Sequence, residues 1–176
     1  WKVSNHMSTL SVDTIQGQTT AANVKLPAGC ILQTVNTILT GTVAVASQTF
    51  GDVMSLAITP KYSTSKVLVQ VSGSLANNTA GNLTMLHLLR GSTKISAGSN
   101  SGTAHYNGSA FYIPTADTYQ TGGFAINFLD SPATTNATTY KIQIAGFNGT
   151  ARIGVRGDSP TAQSMPTYFT LMEIAQ

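Results

Sequence analysis

Hydrophobic and polar residues alternate along most of the chain after Gly29. This period of two is typical of β-strands, whose successive side chains point to opposite faces of a sheet. Runs of this kind, bounded by Gly, Pro, Asn and Ser, predict strands at residues 30–40, 52–59, 66–74, 82–90, 94–97, 109–113, 122–129, 139–147, 151–155 and 167–174. No segment shows the 3.6-residue period of an amphipathic helix. The pattern therefore predicts an all-β fold, an antiparallel β-sandwich resembling a jelly roll, with roughly eight to ten strands.

The run at residues 82–90 departs from simple alternation because it is apolar at both parities. Leu86 and Leu88 share one face, and the opposite face carries another apolar set together with a histidine. A strand that is apolar on both sides is covered on both sides, so we expect the second face to contact another copy of the chain. The predicted subunit-interface residues are Leu83, Met85, His87 and Leu89. A less favoured alternative places three copies of His87 around an ion at a threefold axis.

The first 29 residues differ from the rest. Residues 1–6 precede Met7 and are expected to be an expression remnant. Residues 7–29 contain a short alternation (Leu10, Val12, Ile15), a small polar stretch and a final turn signal, too little to form a core of their own. We expect them to form an extended arm that lies on the domain or on neighbouring chains, with residues 30–176 as one β-sandwich domain.

Composition narrows the class of protein. Hydrophobic residues make up 41% of the chain, which favours a folded core, but charged residues make up only 9%. The net charge of +3 reflects few acids rather than a basic cluster, and isolated lysines and arginines do not predict nucleic-acid binding. Cys30 is the single cysteine, which excludes an internal disulfide and is expected to be a small buried side chain. No apolar stretch approaches the roughly 20 residues needed for membrane insertion.

Catalytic constellations are not evident in the sequence. Glycan hydrolysis, the main enzymatic alternative, needs two carboxylates about 5 to 10 Å apart. The acids are Asp13, Asp52, Asp117, Asp130, Asp158 and Glu173. Asp52, Asp130 and Asp158 stand beside Gly, Pro or Ser and are expected to bond their own turns. Two isolated histidines, His87 and His105, make neither a nucleophile triad nor a zinc site. We therefore predict a non-enzymatic protein with no metal and no cofactor.

Loop residues offer the remaining chemistry. Aromatic rings near Asn, Ser and Thr side chains suit a sugar-binding surface, because rings stack on apolar sugar faces while amides and hydroxyls bond sugar hydroxyls. The predicted receptor or glycan contacts are His105, Tyr106, Tyr112 and Tyr119. The alternative is that these rings pack the ends of the sheets. Arg156, Gly157 and Asp158 spell an adhesive tripeptide, which we attribute to a turn.

Several short stretches resemble a domain found in tail-fibre-like and other virion proteins of phages, especially marine ones. They are residues 65–69 (SKVLV), 89–92 (LRGS), 129–132 (LDSP), 138–141 (TTYK) and 171–174 (LMEI). Residues 8–15 and 25–29 are similar to the lead-in that often precedes this domain. The resemblance covers nearly the whole chain and implies a virion component with an oligomeric β fold and no known catalysis.

The functional prediction is a virion appendage module made in the bacterial host cytoplasm. It is expected to assemble as a homotrimer, to contact other virion proteins and to attach to a glycan or protein of the host surface. The preference for three copies comes from the resemblance. The alternatives are a glycan-degrading tail enzyme and an internal collar or decoration protein without receptor binding.

Overall fold

The computed structural model describes residues 26–46, 48–98, 108–114, 116–159, 161 and 164–176. Within these residues the chain forms eleven strands and no helix. They are β1 (Ile31–Leu39), β2 (Val43–Val45), β3 (Gly51–Ile58), β4 (Lys66–Asn77), β5 (Thr84–Arg90), β6 (Thr93–Lys94), β7 (Ala110–Tyr112), β8 (Gly122–Asp130), β9 (Thr138–Gly146), β10 (Ala151–Ile153) and β11 (Thr167–Ile174).

The strands form two antiparallel sheets. Sheet A has the order β1–β11–β4–β10–β2, and β8 pairs with β4 along its other edge. Sheet B has the order β3–β9–β5–β6, and β7 also pairs with β5. The chain passes repeatedly between the sheets, so long-range pairing holds the domain together. The predicted all-β antiparallel sandwich is confirmed.

The core lies between the two sheets, where the alternating positions of facing strands meet. Val67, Val69 and Val71 of β4 are at most 2% exposed. Sheet B contributes Leu86 and Leu88 of β5 to the same cluster. The other fully buried members include Tyr140, Ile142, Ile144, Phe169 and Leu171. Burying such side chains removes apolar area from water, the main favourable term in folding.

Most strands begin and end close to their predicted bounds, but two local features differ. Strand β2 was not predicted, since three residues are too few to show alternation. The strand predicted at residues 94–97 is limited to Thr93–Lys94. Asn148 has a φ of 52° in the bend that follows β9. This bend connects β9 of sheet B to β10 of sheet A, so it passes between the sheets.

The first described residues, 26–30, lead into β1 and lie beside the residues that follow β11 in sheet A. Leu26 is 47% exposed, and Gly29 N–H donates to the Ala175 carbonyl at 2.9 Å. Ala175 N–H donates in turn to the Cys30 carbonyl at 2.9 Å. Cys30 is a half-buried free thiol, so it is less enclosed than expected. Apart from residues 26–29, the predicted arm lies outside the described residues.

Candidate interaction surfaces

The described carboxylates have separate partners. Asp52 lies in β3, where hydrogen bonds from Gln143 and Lys141 lower the pKa of its carboxyl. Asp130 ends β8 and bonds to Arg90. The turn prediction was thus wrong for Asp52 and Asp130, which lie in strands, whereas Asp158 does lie in a loop.

No group of three His, Cys, Asp or Glu among the described residues has a metal-binding arrangement.

The predicted receptor contacts are only partly described. His105 and Tyr106 lie outside the described residues. Tyr112 is half-buried on β7, and its ring packs directly against Gly122 of β8. Burial, and then the nearby charge of Asp117, raises the pKa of the Tyr112 hydroxyl. Tyr112 therefore joins the edges of the two sheets, which matches the alternative in which these rings pack the sheet ends.

Tyr119 remains a surface residue, 60% exposed. The Arg156 guanidinium lies 4.8 Å from the centre of its ring, a cation–π contact. Arg156 also donates two hydrogen bonds to Asp158, at 2.9 and 2.6 Å, and this pairing lowers the pKa of Asp158. The side chains of Arg156 and Asp158 therefore bond to each other within the Arg-Gly-Asp tripeptide.

Gly157 permits the loop at residues 156–158 to pack closely against the backbone of Asn77 and Thr118. A Cβ atom at this position would overlap the Asn77 carbonyl and lie 2.8 Å from the Thr118 carbonyl. Because both obstacles are backbone, Gly157→Ala should cost roughly 1–3 kcal/mol, the usual cost of overpacking. Gly41→Ala is the matched control, since nothing lies within 4 Å of a Cβ there. Chemical denaturation would measure both, and equal stability of the two variants would contradict this packing.

The outer face of sheet A is uncovered across four of its strands, where the outward side chains are half-buried or exposed. Strand pairing places its side chains in three rows of four across β1, β11, β4 and β8. The rows are Thr34, Met172, Leu68 and Leu129; Asn36, Thr170, Gln70 and Asn127; and Ile38, Tyr168, Ser72 and Ala125. None of these twelve side chains is charged. We call these three rows the sheet A face.

A groove runs along β4 on the sheet A face. It consists of two adjoining depressions of about 220 and 350 Å³, which share Ser72 and Tyr168. Small residues such as Gly73 and Ser74 form its floor. β11 supplies one wall and β8 the other, through Tyr168 and Asn127 respectively. Gln70 of β4 donates a hydrogen bond to Asn127 of the β8 wall at 2.9 Å.

The outer face of sheet B contains the predicted interface residues. Met85, His87 and Leu89 are 2%, 5% and 6% exposed in the single chain. Phe50 stacks on His87 with ring centres 3.6 Å apart, and the backbone at Gly108 lies on the Met85 side chain. Phe50 and the backbone at Gly108 of the same chain thus cover His87 and Met85, which we had expected other copies of the chain to cover. The assignment of Leu83, Met85, His87 and Leu89 to a subunit interface remains a prediction.

Phe111 is the apolar side chain next to this covered set. It pairs with Met85 across β7 and β5 and is 69% exposed, more than any other large hydrophobic residue described. Ile113, two residues on, is 41% exposed. No pattern in the sequence distinguishes these two exposed residues from their buried neighbours.

The fold thus defines a two-sheet β-sandwich module with a groove on the outer face of sheet A and an exposed Phe111 on the outer face of sheet B. Nothing among the described residues forms a helix with the length and apolar character needed to span a bilayer. No protein-family model and no curated protein matches the sequence.

Similar solved structures include VP2 of infectious bursal disease virus. VP2 in a subviral particle matches with 9% identity and a TM-score of 0.39, over 83% of this chain and 39% of that one. Derived T=1 particles of the same virus match with 9% identity and a TM-score of 0.42, over 97% of this chain and 41% of that one. The chain therefore spans about two fifths of the length of these proteins. The assignment of the fold rests on the strand pairing described above.

Proposed function

We propose that this chain is a non-enzymatic structural and binding module of a phage virion, in an appendage such as a tail fibre. It assembles as a homotrimer and attaches to the host surface. The short stretches that resemble virion domains and the low content of charged residues support this role. The observation that carries the proposal is the pair of opposite outer surfaces, one with exposed Phe111 and the other with three rows of uncharged side chains.

Self-association is assigned to the outer face of sheet B around Phe111. Apolar side chains at the centre of a patch drive most protein interfaces, and Phe111 adjoins the predicted interface residue Met85. The two sheets of a sandwich face opposite ways, so a trimer closed through sheet B directs three sheet A faces outward. Three outward copies strengthen attachment to a repetitive surface through avidity.

We expect Phe111→Glu to convert the trimer to monomers, because a carboxylate at each interface would be buried without a partner. Mass photometry at micromolar concentration would show the change. Tyr168→Ala, on the opposite face, is the matched control and should leave the trimer intact. A wild-type chain that is monomeric at this concentration would contradict the trimer.

Attachment is tested separately with labelled protein and whole host cells. We expect saturable binding by the wild-type chain and weaker binding by the Phe111→Glu monomer, because avidity is lost. Absence of binding would favour the collar or decoration alternative. Release of sugar from the cells would favour the glycan-degrading enzyme.

A further inference from the structure

We propose that the groove on the sheet A face binds a neutral oligosaccharide. This inference deepens the attachment role of the proposed function, but it concerns residues that the sequence did not indicate. It places the contact on strands rather than on the loop that carries Tyr119.

The chemistry of the groove matches a sugar. Tyr168 is 49% exposed and forms part of the β11 wall in both depressions, where its ring can stack on the apolar face of a sugar. Gln70 and Asn127 provide amides, which donate and accept hydrogen bonds at once, as vicinal hydroxyls require. Ser72 and Thr170 add hydroxyl groups beside them.

The three rows that the groove follows favour a neutral ligand, and the cations Lys66 and Arg152 lie beyond them toward the two ends of β4. All twelve positions of the sheet A face are uncharged. An acidic sugar would lose hydration without gaining an ion pair. A neutral sugar exchanges its contacts with water for contacts with the amides, the hydroxyls and the Tyr168 ring of the groove.

The distribution of polar groups favours a sugar over a protein partner. Protein interfaces usually have an apolar centre and a polar rim. Here the exposed large aliphatic residues, Ile38 and Leu129, lie on the edge strands β1 and β8. The amides of Gln70 and Asn127 lie in the middle row.

The groove also has a suitable shape. From Gln70 to Ser74 it follows β4 over ~13 Å at the usual rise of a strand, enough for a short oligosaccharide. Ser74, at its floor, is 6% exposed, and its hydroxyl has no hydrogen-bond partner among the described residues. The hydrogen bond between Gln70 and Asn127 orders the amides before a ligand arrives, which reduces the entropy cost of binding.

The test is binding of the full oligomeric chain to immobilised neutral glucan, mannan and galactan oligosaccharides, with polyuronates as charged comparison probes. We expect the wild-type chain to bind at least one neutral probe. Tyr168→Ala should weaken this binding by about tenfold or more, since loss of a stacked ring removes on the order of 1.4 kcal/mol. Tyr168→Phe should retain it, because the ring and not the hydroxyl makes the stack.

Two further variants make the result specific to the groove. Tyr119→Ala removes a tyrosine of similar exposure outside the groove and should bind like the wild type. Ala125→Trp, at an exposed position lining the groove, should block binding while β8 still forms. Circular dichroism and mass photometry check that each variant is folded and trimeric.

The proposal is overturned if no neutral probe binds, if only polyuronates bind, or if Tyr168→Ala binds as well as the wild type. Loss of binding in Tyr119→Ala alone would move the site to the loops and equally reject the groove. None of these outcomes changes the oligomeric state, so the trimer and the groove succeed or fail separately.

Discussion

Asp130→Ala should lower the free energy of unfolding by about 3 kcal/mol, because it removes the acceptor of a buried hydroxyl and of a partly exposed guanidinium. The Asp130 side chain is 8% exposed and Arg90 bonds to both its oxygens, at 2.9 and 2.8 Å. Tyr140, fully buried, donates its hydroxyl to Asp130 at 2.7 Å. Burial, and then this hydrogen bond, raises the pKa of Tyr140 well above its usual range. Removing the carboxylate leaves the Tyr140 hydroxyl without its acceptor and leaves Arg90 with the Ser131 carbonyl at 3.2 Å.

The measurement is thermal or denaturant unfolding at fixed protein concentration, because assembly makes the melting temperature concentration-dependent. A loss of about 3 kcal/mol corresponds to a shift in melting temperature on the order of 10 °C for a chain of this size. Asp52→Ala is the matched control: Asp52 also pairs with a cation, Lys141, but its side chain is 60% exposed. It should cost less than about 1 kcal/mol. Similar losses in both variants would contradict a structural role for the Asp130 network.

Glu173→Ala should cost about 3 kcal/mol at neutral pH, because three partly buried donors lose the carboxylate that accepts their hydrogen bonds. Glu173 is 0% exposed. It accepts hydrogen bonds from the Gln33 side chain at 2.6 Å, the Lys61 N–H at 2.8 Å and the Tyr62 N–H at 3.3 Å. Burial alone would raise the pKa of Glu173, but these hydrogen bonds outweigh it and hold the pKa below its ordinary value of 4.5.

The lowered pKa sets the pH dependence of stability. Since the folded chain binds this proton less readily than the unfolded chain, Glu173 stabilises the fold above the ordinary pKa. That contribution is lost as the pH falls from about 4.5 through the lower folded pKa. Denaturation from pH 7 to pH 2.5 should therefore show a steeper acid loss in the wild type than in Glu173→Ala. Glu173→Gln should show the same flattening with a smaller loss at pH 7. Parallel curves for wild type and Glu173→Ala would contradict this assignment.

The strand positions could be predicted from sequence because alternation is a local property. The same alternation also contained a signal that was missed. Asp130 continues the inward parity of Ile126, and Glu173 that of Leu171. An acid at an inward position of an apolar strand indicates a buried, bonded carboxylate, and neither was recognised.

The sheet A face could not be predicted because it depends on strand order. Tyr168, Ser72 and Ala125 form one row only because β11 and β8 both pair with β4. In the sequence these three residues lie in three separate strands, so nothing local shows that their side chains are neighbours. The cover over β5 was missed for a similar reason, since Phe50 reaches His87 from another part of the chain.

The most direct test of the account is a cryo-electron microscopy structure of the assembled chain. We predict three copies around one axis, with Phe111 at the contact between copies and Tyr168 exposed on the outside of each. A single unassembled chain, or an assembly in which the sheet A face is buried between copies, would contradict it.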